Sequence, residues 1–220
     1  MRRVRTVKEM LNKIREPKKV SKKRATIYTL SIFIFGIALG IMSKWLDNIA
    51  FDDTIGWHRP IEVLDLGNFF SDIGIWLLLA LMIAVFSASP VRAGINTFAF
   101  FAGTCVAYHV YTVLFSGFDP QSYMMIWYGI TLFSPVLAVL CWYAKGKGIV
   151  PIILGMGIMA IITLSCFSIG LFYVDIKGIL YILIYVASAV VLYRDPKQLV
   201  AILIGGFLLA FLLNPLWPYH

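Results

Sequence analysis

The chain is 220 residues long, 60% of them apolar and 14% charged, and its mean hydropathy is +0.86. Soluble globular domains are about half apolar and about a quarter charged, so this composition excludes that class and predicts an integral membrane protein. A net charge of +8 would suit nucleic-acid binding in a soluble protein, but here most basic residues lie where we predict the cytoplasm. We therefore expect lipid headgroups, and no nucleic acid, as their partners.

Residues 1–24 carry eleven Lys and Arg against Glu9 and Glu16. Apolar residues recur in this segment every three or four positions, at Val4, Val7, Met10, Leu11 and Ile14. This spacing predicts a basic amphipathic helix that ends at Pro17. We expect it to form a cytoplasmic segment that lies on anionic headgroups, with docking onto a partner as the alternative.

Residues 25–43 are uncharged over a length that suits a first transmembrane helix. Gly36 and Gly40 lie four positions apart, with Ala38 between them. Small residues at this spacing let a second helix approach closely. We expect that helix to belong to the same bundle, and a membrane-protein partner bound through Gly36 and Gly40 is the alternative.

Further uncharged runs predict six more spans, at about 73–91, 93–117, 121–144, 149–173, 178–193 and 198–216. The run at 178–193 is the shortest, so six spans is the alternative to seven. The predicted fold class is an all-α integral membrane protein, with one polytopic bundle over residues 25–220. No internal repeat is visible in the sequence.

The distribution of charge predicts the orientation of the bundle. Most of the 19 Lys and Arg fall in the N-terminal segment and in the even-numbered connections between spans, whereas most of the acidic residues fall in the other connections. The positive-inside rule then predicts a cytoplasmic N-terminus and, with seven spans, an extracytoplasmic C-terminus in the plasma membrane.

The first outward loop, residues 44–72, is the main concentration of polar side chains. Its apolar residues Ile61 and Leu64 share a helical face with Gly67 and Asn68, which predicts a short interfacial helix over the outer ends of the spans. We expect this loop to act as a lid, and its carboxylates to form an outer acidic ledge of Asp47, Asp52, Asp53, Asp65 and Asp72. Their spacing does not match a calcium-binding loop, so we predict no metal site.

Polar side chains at the outer ends of the third and fifth spans predict a cavity beneath this loop. An ionisable residue inside a span is a functional candidate by default, and His109 is the one that we select. The candidate binding residues are His109, Cys105, Tyr108, Thr112, Cys166 and Ser165, with Trp57 and His58 in the loop above. An interhelical hydrogen bond of His109 is the structural alternative. We expect the ligand to be a small neutral or cationic solute.

Motifs for nucleotide hydrolysis, zinc proteolysis and serine hydrolysis are absent from the sequence, as are charges deep within the spans. We therefore favour a solute-binding or transport component without a cofactor, and we assign no catalytic residue. The first alternative is an enzyme that modifies an outer-leaflet lipid or cell-wall precursor through His58 with Asp53, Asp65 or Asp72. The second is an accessory subunit of a larger membrane complex.

The small-residue face of Gly36, Ala38 and Gly40, followed by the long outward loop 44–75, resembles the substrate-capture subunits of energy-coupling-factor vitamin transporters. The resemblance implies a small membrane bundle that binds a solute from outside. Those subunits usually have six spans with both termini in the cytoplasm, and the seven spans predicted here depart from that pattern. No binding residue is transferred from that family.

Overall fold

The computed structural model describes residues 7–49, 54–170 and 172–217. It is 79% helical, in agreement with the predicted all-α class. The helices in the described ranges are α1 (Val7–Ile14), α2 (Lys22–Asp47), α3 (His58–Val63), α4 (Leu66–Ser71), α5 (Ile73–Phe86), α6 (Pro90–Tyr111), α7 (Gln121–Ala144), α8 (Ile149–Cys166), α9 (Ile179–Leu192) and α10 (Pro196–Leu213).

In the part of the chain that the structure describes, five helices are long and apolar enough to cross a membrane, namely α2, α6, α7, α8 and α10. A π-helical turn, Thr112–Ser116, extends α6, and a 3₁₀ turn, Asn214–Leu216, extends α10. Helices α5 and α9 are also apolar but have 14 residues each. The fold is therefore a multi-pass helical bundle with two short members.

Two local structures differ from the predicted elements. Helix α8 ends at Cys166, before the predicted boundary at 173, and an antiparallel hairpin of β1 (Phe167–Ile169) and β2 (Val174–Ile176) follows it. The predicted single interfacial helix is divided into α3 and α4 at Asp65, whose φ of 49° is left-handed. A residue in that conformation cannot continue a right-handed helix.

Helices α2 and α6 form a close parallel pair. Their backbones approach at glycines on both helices, because a Cβ on Gly103 would lie 2.5 Å from the carbonyl oxygen of Phe33, and a Cβ on Gly36 or Gly40 would overlap the backbone of α6. Helices that touch at small residues gain extensive van der Waals contact. The Gly36–Gly40 face is thus buried within this chain.

A second parallel pair forms between α8 and α10. Gly155 contacts Ile202 of α10, and Gly206 of α10 contacts Met159. The two pairs flank α5, α7 and α9, and the largest buried cluster includes Leu81, Met159 and Ile184, from α5, α8 and α9.

The two ends of the bundle differ in charge. Helices α2, α6, α8 and α10 begin at the basic end, which carries Arg15, Arg92, Lys145, Lys147, Arg194 and Lys197. The opposite, acidic end carries Asp47, Asp65, Asp72, Asp119 and Asp175. The short helix α1 docks on the basic end, where the amide of Lys147 donates to the carbonyl of Ile14.

The connection from α5 to α6 and the connection from α9 to α10 have the same local structure. This internal repeat was not visible in the sequence. In each case a 14-residue helix is followed by three residues and then by a proline at the first helical position, Pro90 or Pro196. The N-cap residues have nearly equal dihedral angles, with φ −153° and ψ 163° at Ser89 and φ −147° and ψ 159° at Asp195. Each N-cap side chain accepts a hydrogen bond from the amide three residues later.

The repeated corners also receive equivalent hydrogen bonds. The carbonyl of Val85 accepts from Arg15, and that of its counterpart Val191 accepts from Lys145. The carbonyl of Ser87 accepts from Trp142, and that of its counterpart Tyr193 accepts from Lys145. The chain therefore repeats one order of helices, long–short–long, in α2–α5–α6 and in α8–α9–α10. We call these the two three-helix units, and α7 connects them along the chain.

Candidate functional site

An arc of five aromatic rings encloses a pocket at the acidic end, beneath α4. Neighbouring ring centroids along the arc are 5.9–6.3 Å apart. In spatial order the rings belong to Phe70, Trp76, Trp127, Tyr123 and Tyr108, which come from α4, α5, α7, α7 and α6. We call this space the aromatic pocket.

Polar groups occupy the part of the aromatic pocket that the rings leave uncovered. Ser43, Thr104 and Cys105 line it, and each is at most 6% exposed. Ser43 donates to the carbonyl of Phe70 over 3.4 Å, and Thr104 donates to the carbonyl of Phe100 over 3.0 Å. The wall therefore combines aromatic faces with a few hydroxyl groups, as small-molecule sites do.

Asp47, the last residue of α2, connects the rim of the pocket to α4. Its carboxylate accepts from the hydroxyl of Tyr108 at 2.9 Å and from the hydroxyl of Ser71 in α4 at 2.8 Å. Lys44 lies one helical turn earlier, with Nζ 3.7 Å from the same carboxylate. Trp76 donates to the carbonyl of Phe70 over 2.9 Å, which holds the end of α4 on the other side.

The aromatic pocket is closed in this structure. Its cavity measures about 20 Å³, which holds one water molecule and no larger solute. Helix α4 follows the left-handed Asp65, and its Gly67 lies beside the carbonyl of Leu46 at the end of α2.

Two of the predicted cavity residues, Cys105 and Tyr108, line the aromatic pocket. His109 lies on another face of α6, where it contacts Tyr128 and Asp119. Its Nε2 is 3.0 Å from the Asp119 carboxylate and its Nδ1 is 2.5 Å from the Tyr128 hydroxyl. These two contacts fix the imidazole, which faces an open groove outside the pocket.

Ser165 and Cys166 lie at the end of α8, apart from the α6 residues. Both are fully buried, and the Ser165 hydroxyl donates to the carbonyl of Ile162. Asp72 caps the first amide of α5 on this side of the acidic end and lies 3.6 Å from Lys177. The structure therefore separates the polar ends of α6 and α8 into different clusters.

The remaining predicted residues lie outside the pocket wall. Thr112 is buried and donates to the carbonyl of Tyr108. Trp57 is 52% exposed and stacks on Trp45, whereas His58 is 7% exposed and meets the edge of Trp57. Asp65 accepts from Asn68, and Asp52 and Asp53 fall outside the described residues.

The sequence prediction named only two residues of the aromatic pocket because it emphasised a different face of α6. It emphasised Cys105 with His109, whereas Thr104 and Tyr108, also four residues apart, face the pocket together with Cys105. The spacing of Tyr123 and Trp127 in α7 was an available signal of a second aromatic face. The lining residues not predicted were Ser43, Phe70, Trp76, Thr104, Tyr123, Met124 and Trp127.

Within the described ranges, no group of three or more His, Cys, Asp and Glu side chains is arranged to hold a metal ion. No protein-family model, curated protein or solved structure matches the chain.

Proposed function

We propose that the protein is a solute-binding or transport component of the plasma membrane, and that the aromatic pocket is its binding site. The observation that supports this function is the arc of five rings around a space with hydroxyl groups and a carboxylate at its rim. The ligand is a small neutral or cationic solute that enters from the acidic end.

The chemistry of the wall favours this class of solute. Tryptophan and tyrosine faces attract organic cations through the ring quadrupole and also stack on neutral apolar groups. The hydroxyls of Ser43 and Thr104 offer a bound solute hydrogen-bond acceptors. Asp47 adds negative charge at the rim, which Lys44 partly offsets.

Binding uses α4 as a lid in this proposal. The lid is held by the Asp47–Ser71 hydrogen bond and by the two donors to the Phe70 carbonyl, Ser43 and Trp76. Only the Asp47–Ser71 bond is exposed, and a solute that offers its own polar groups can compete for all three bonds. The closed cavity then represents the protein between binding events.

The proposed orientation places the lid outside the cell. The proposed topology has seven spans, because α5 and α9 cross the membrane together with the five longer helices. Its N-terminus is cytoplasmic and its C-terminus is extracytoplasmic. The exposed cations Lys18, Lys19, Lys22, Lys23 and Arg24 near the basic end then contact anionic headgroups of the inner leaflet.

The reactivity of Cys105 tests the proposal directly. Cys105 is 3% exposed inside the pocket, so modification of its thiol reports opening of the lid. In a Cys141→Ala, Cys166→Ala background, methyl methanethiosulfonate modifies only Cys105. We expect choline or its uncharged isostere 3,3-dimethyl-1-butanol to slow this reaction at least fivefold, because an occupied pocket excludes the reagent.

A matched pair of tryptophan variants provides the control. Trp127→Leu removes one ring of the arc and should abolish the protection. Trp45→Leu removes an exposed ring outside the pocket and should retain it. Protection by choline alone indicates a cationic solute, and equal protection by both compounds indicates a neutral one. If neither compound protects Cys105, or if Trp127→Leu keeps full protection, the proposal is wrong.

A further inference from the structure

A second cavity lies between the two three-helix units, away from the aromatic pocket. Its volume is about 370 Å³, in the range of small-molecule sites. Helices α5 and α6 line it from the first unit, α8 and Leu213 of α10 line it from the second, and α7 lies between them. We call this space the inter-unit cleft.

The inter-unit cleft opens toward the membrane-facing surface of the bundle. Leu137 and Ile153 at its rim are 54% and 60% exposed, whereas Leu81 and Phe101 in its floor are 2% and 4% exposed. Its wall is almost entirely apolar. A molecule dissolved in the lipid can therefore enter the cleft sideways without passing through water.

One polar group in the wall, the Thr97 hydroxyl, makes no hydrogen bond to the described residues. Thr97 is 2% exposed, and its hydroxyl finds no hydrogen-bond partner among the described residues. The other buried threonines donate to the carbonyl four residues earlier, over 2.6–3.0 Å, at Thr104, Thr112, Thr131 and Thr163. Thr97 is the one among these five whose hydroxyl does not donate to that carbonyl. Its hydroxyl is therefore a free donor at the cleft.

Water is a poor partner for this donor. An ordered water needs two to four polar partners, and the cleft offers few besides Thr97. Ser134 also lines it, but its proton is donated to the carbonyl of Thr131 over 2.8 Å. A ligand that brings one acceptor on an apolar body matches the wall better.

The depth of Thr97 restricts the source of that acceptor. Thr97 follows the N-cap Ser89 by eight residues, which corresponds to about 12 Å along α6. The hydrocarbon layer is about 30 Å thick, so Thr97 lies well inside it, below the ester groups of ordinary glycerolipids. The acceptor must therefore belong to a molecule that carries a polar oxygen into the hydrocarbon layer.

We propose that the inter-unit cleft binds a lipid-soluble carbonyl compound, with the carbonyl oxygen accepting a hydrogen bond from Thr97. The site is separate from the aromatic pocket and does not depend on its function. Its position between two repeated units, near the middle of the bundle, is where repeat-built transporters place ligand sites.

A matched pair of probes, 2-tridecanone and n-tridecane, tests the proposed hydrogen bond. In protein reconstituted into lipid nanodiscs, the shift of the melting temperature with probe concentration gives an apparent affinity. We expect Thr97→Val, which has nearly the same shape, to weaken 2-tridecanone binding at least fivefold and to leave tridecane binding unchanged. Thr163→Val is the control, because its hydroxyl is paired outside the cleft, and it should not alter the ratio of the two affinities.

A second variant tests the cleft itself. Gly157 lines the cleft, and a Cβ on it would meet no atom within 4 Å, so Gly157→Leu should fill the space without a clash. We expect this variant to fold and to lose both probes. If 2-tridecanone binds wild type and Thr97→Val equally, the proposed hydrogen bond from Thr97 does not exist. If Gly157→Leu still binds the ketone, the location is wrong.

Discussion

At the basic end of the bundle, single cations donate hydrogen bonds to carbonyls at the ends of helices. Arg15 donates to the carbonyl of Trp142 at 2.6 Å and to the carbonyl of Val85 at 2.8 Å, and its guanidinium lies 4.3 Å from the centre of the Trp142 ring. These carbonyls belong to the last turns of α7 and α5, where a cation also favours the helix dipole. Burial lowers the pKa of the Arg15 guanidinium from its ordinary value.

The first prediction concerns Arg15. Replacement by alanine leaves the carbonyls of Val85 and Trp142 without their donor, so we expect Arg15→Ala to lower the free energy of unfolding by about 1–2 kcal/mol. Arg24→Ala removes an exposed arginine and should change it by less than about 0.5 kcal/mol. Unfolding in detergent measures both, and equal stability of the two variants would contradict the role of Arg15.

Individual site residues were predictable only where the residue type itself was unusual. Asp47 was selected as a carboxylate of the outward loop, and Tyr108 as a polar residue late in the third predicted span. Cys105 was selected because it lies four residues before His109. Trp76 and Trp127 were not, because a tryptophan in such a run suits lipid, core and pocket equally well. The distinction between these environments depends on the neighbouring helices.

At the scale of elements, the repeated corners connect each short helix to the long helix that follows it. Ser89 and Asp195 cap α6 and α10 with the same backbone geometry but different chemistry. The Gln198 amide and the Arg194 guanidinium donate to the Asp195 carboxylate, and these bonds lower its pKa below 3.8. The first corner has a hydroxyl that does not titrate.

The second prediction compares these caps as pH changes. Ser89→Ala should destabilise the protein by about 1 kcal/mol at every pH, because the cap is neutral. Asp195→Ala should also destabilise at pH 7. Since the folded-state pKa of Asp195 is lowered, its stabilising effect is present above pH 3.8 and is lost as the pH falls through the folded-state value. We expect the gap between wild type and Asp195→Ala to shrink in acid.

Melting temperatures measured from pH 7 down to pH 3 test this difference. Asp195→Ser serves as the control, because it retains a capping side chain without a titrating charge. A gap for Asp195→Ala that stays constant with pH would show that its carboxylate does not contribute through this cap.

The end of α8 was not predictable from hydropathy. Residues 167–174 contain no charge, so they extended the predicted fifth span to 173. In the structure Phe167 pairs with Ile176 and Ser168 with Asp175, and the amide of Gly170 donates to the carbonyl of Tyr173. The alternation of β-branched and aromatic residues around Gly170 was the available sign of a hairpin, but a hydropathy window averages it away.

At the scale of the whole molecule, the two short helices occupy equivalent positions. A 14-residue helix is about 21 Å long, less than the hydrocarbon thickness of about 30 Å. Helix α4 precedes α5 and the β-hairpin precedes α9, and Phe69 of α4 contacts Tyr181 of α9 with ring centroids 5.7 Å apart. These two small elements therefore cover the neighbouring ends of α5 and α9 at the acidic end.

The third prediction concerns the proposed seven spans. Asp175 precedes α9 and Lys197 follows it, and both side chains are exposed. In a cysteine-free background, we expect Asp175→Cys to react with a membrane-impermeant maleimide in intact cells, and Lys197→Cys to react only after permeabilisation. In the proposed topology α9 crosses the bilayer with its positive side in the cytoplasm, and this topology gives the expected labelling pattern. Labelling of both cysteines from one side would exclude a crossing by α9.

The sequence by itself determined the membrane class, the positions of the five long helices and the opposite charges of the two ends, because hydropathy and net charge are sums over local segments. Tertiary structure alone decided which helix faces meet: the α2–α6 and α8–α10 pairs, the repeated corners, the aromatic pocket and the unpaired Thr97 hydroxyl. The physical reason is that nearly every face of an apolar span is compatible with lipid, so hydrophobicity does not distinguish lipid contact from helix contact. That choice depends on close approach at glycines and on hydrogen bonds between residues far apart in the chain.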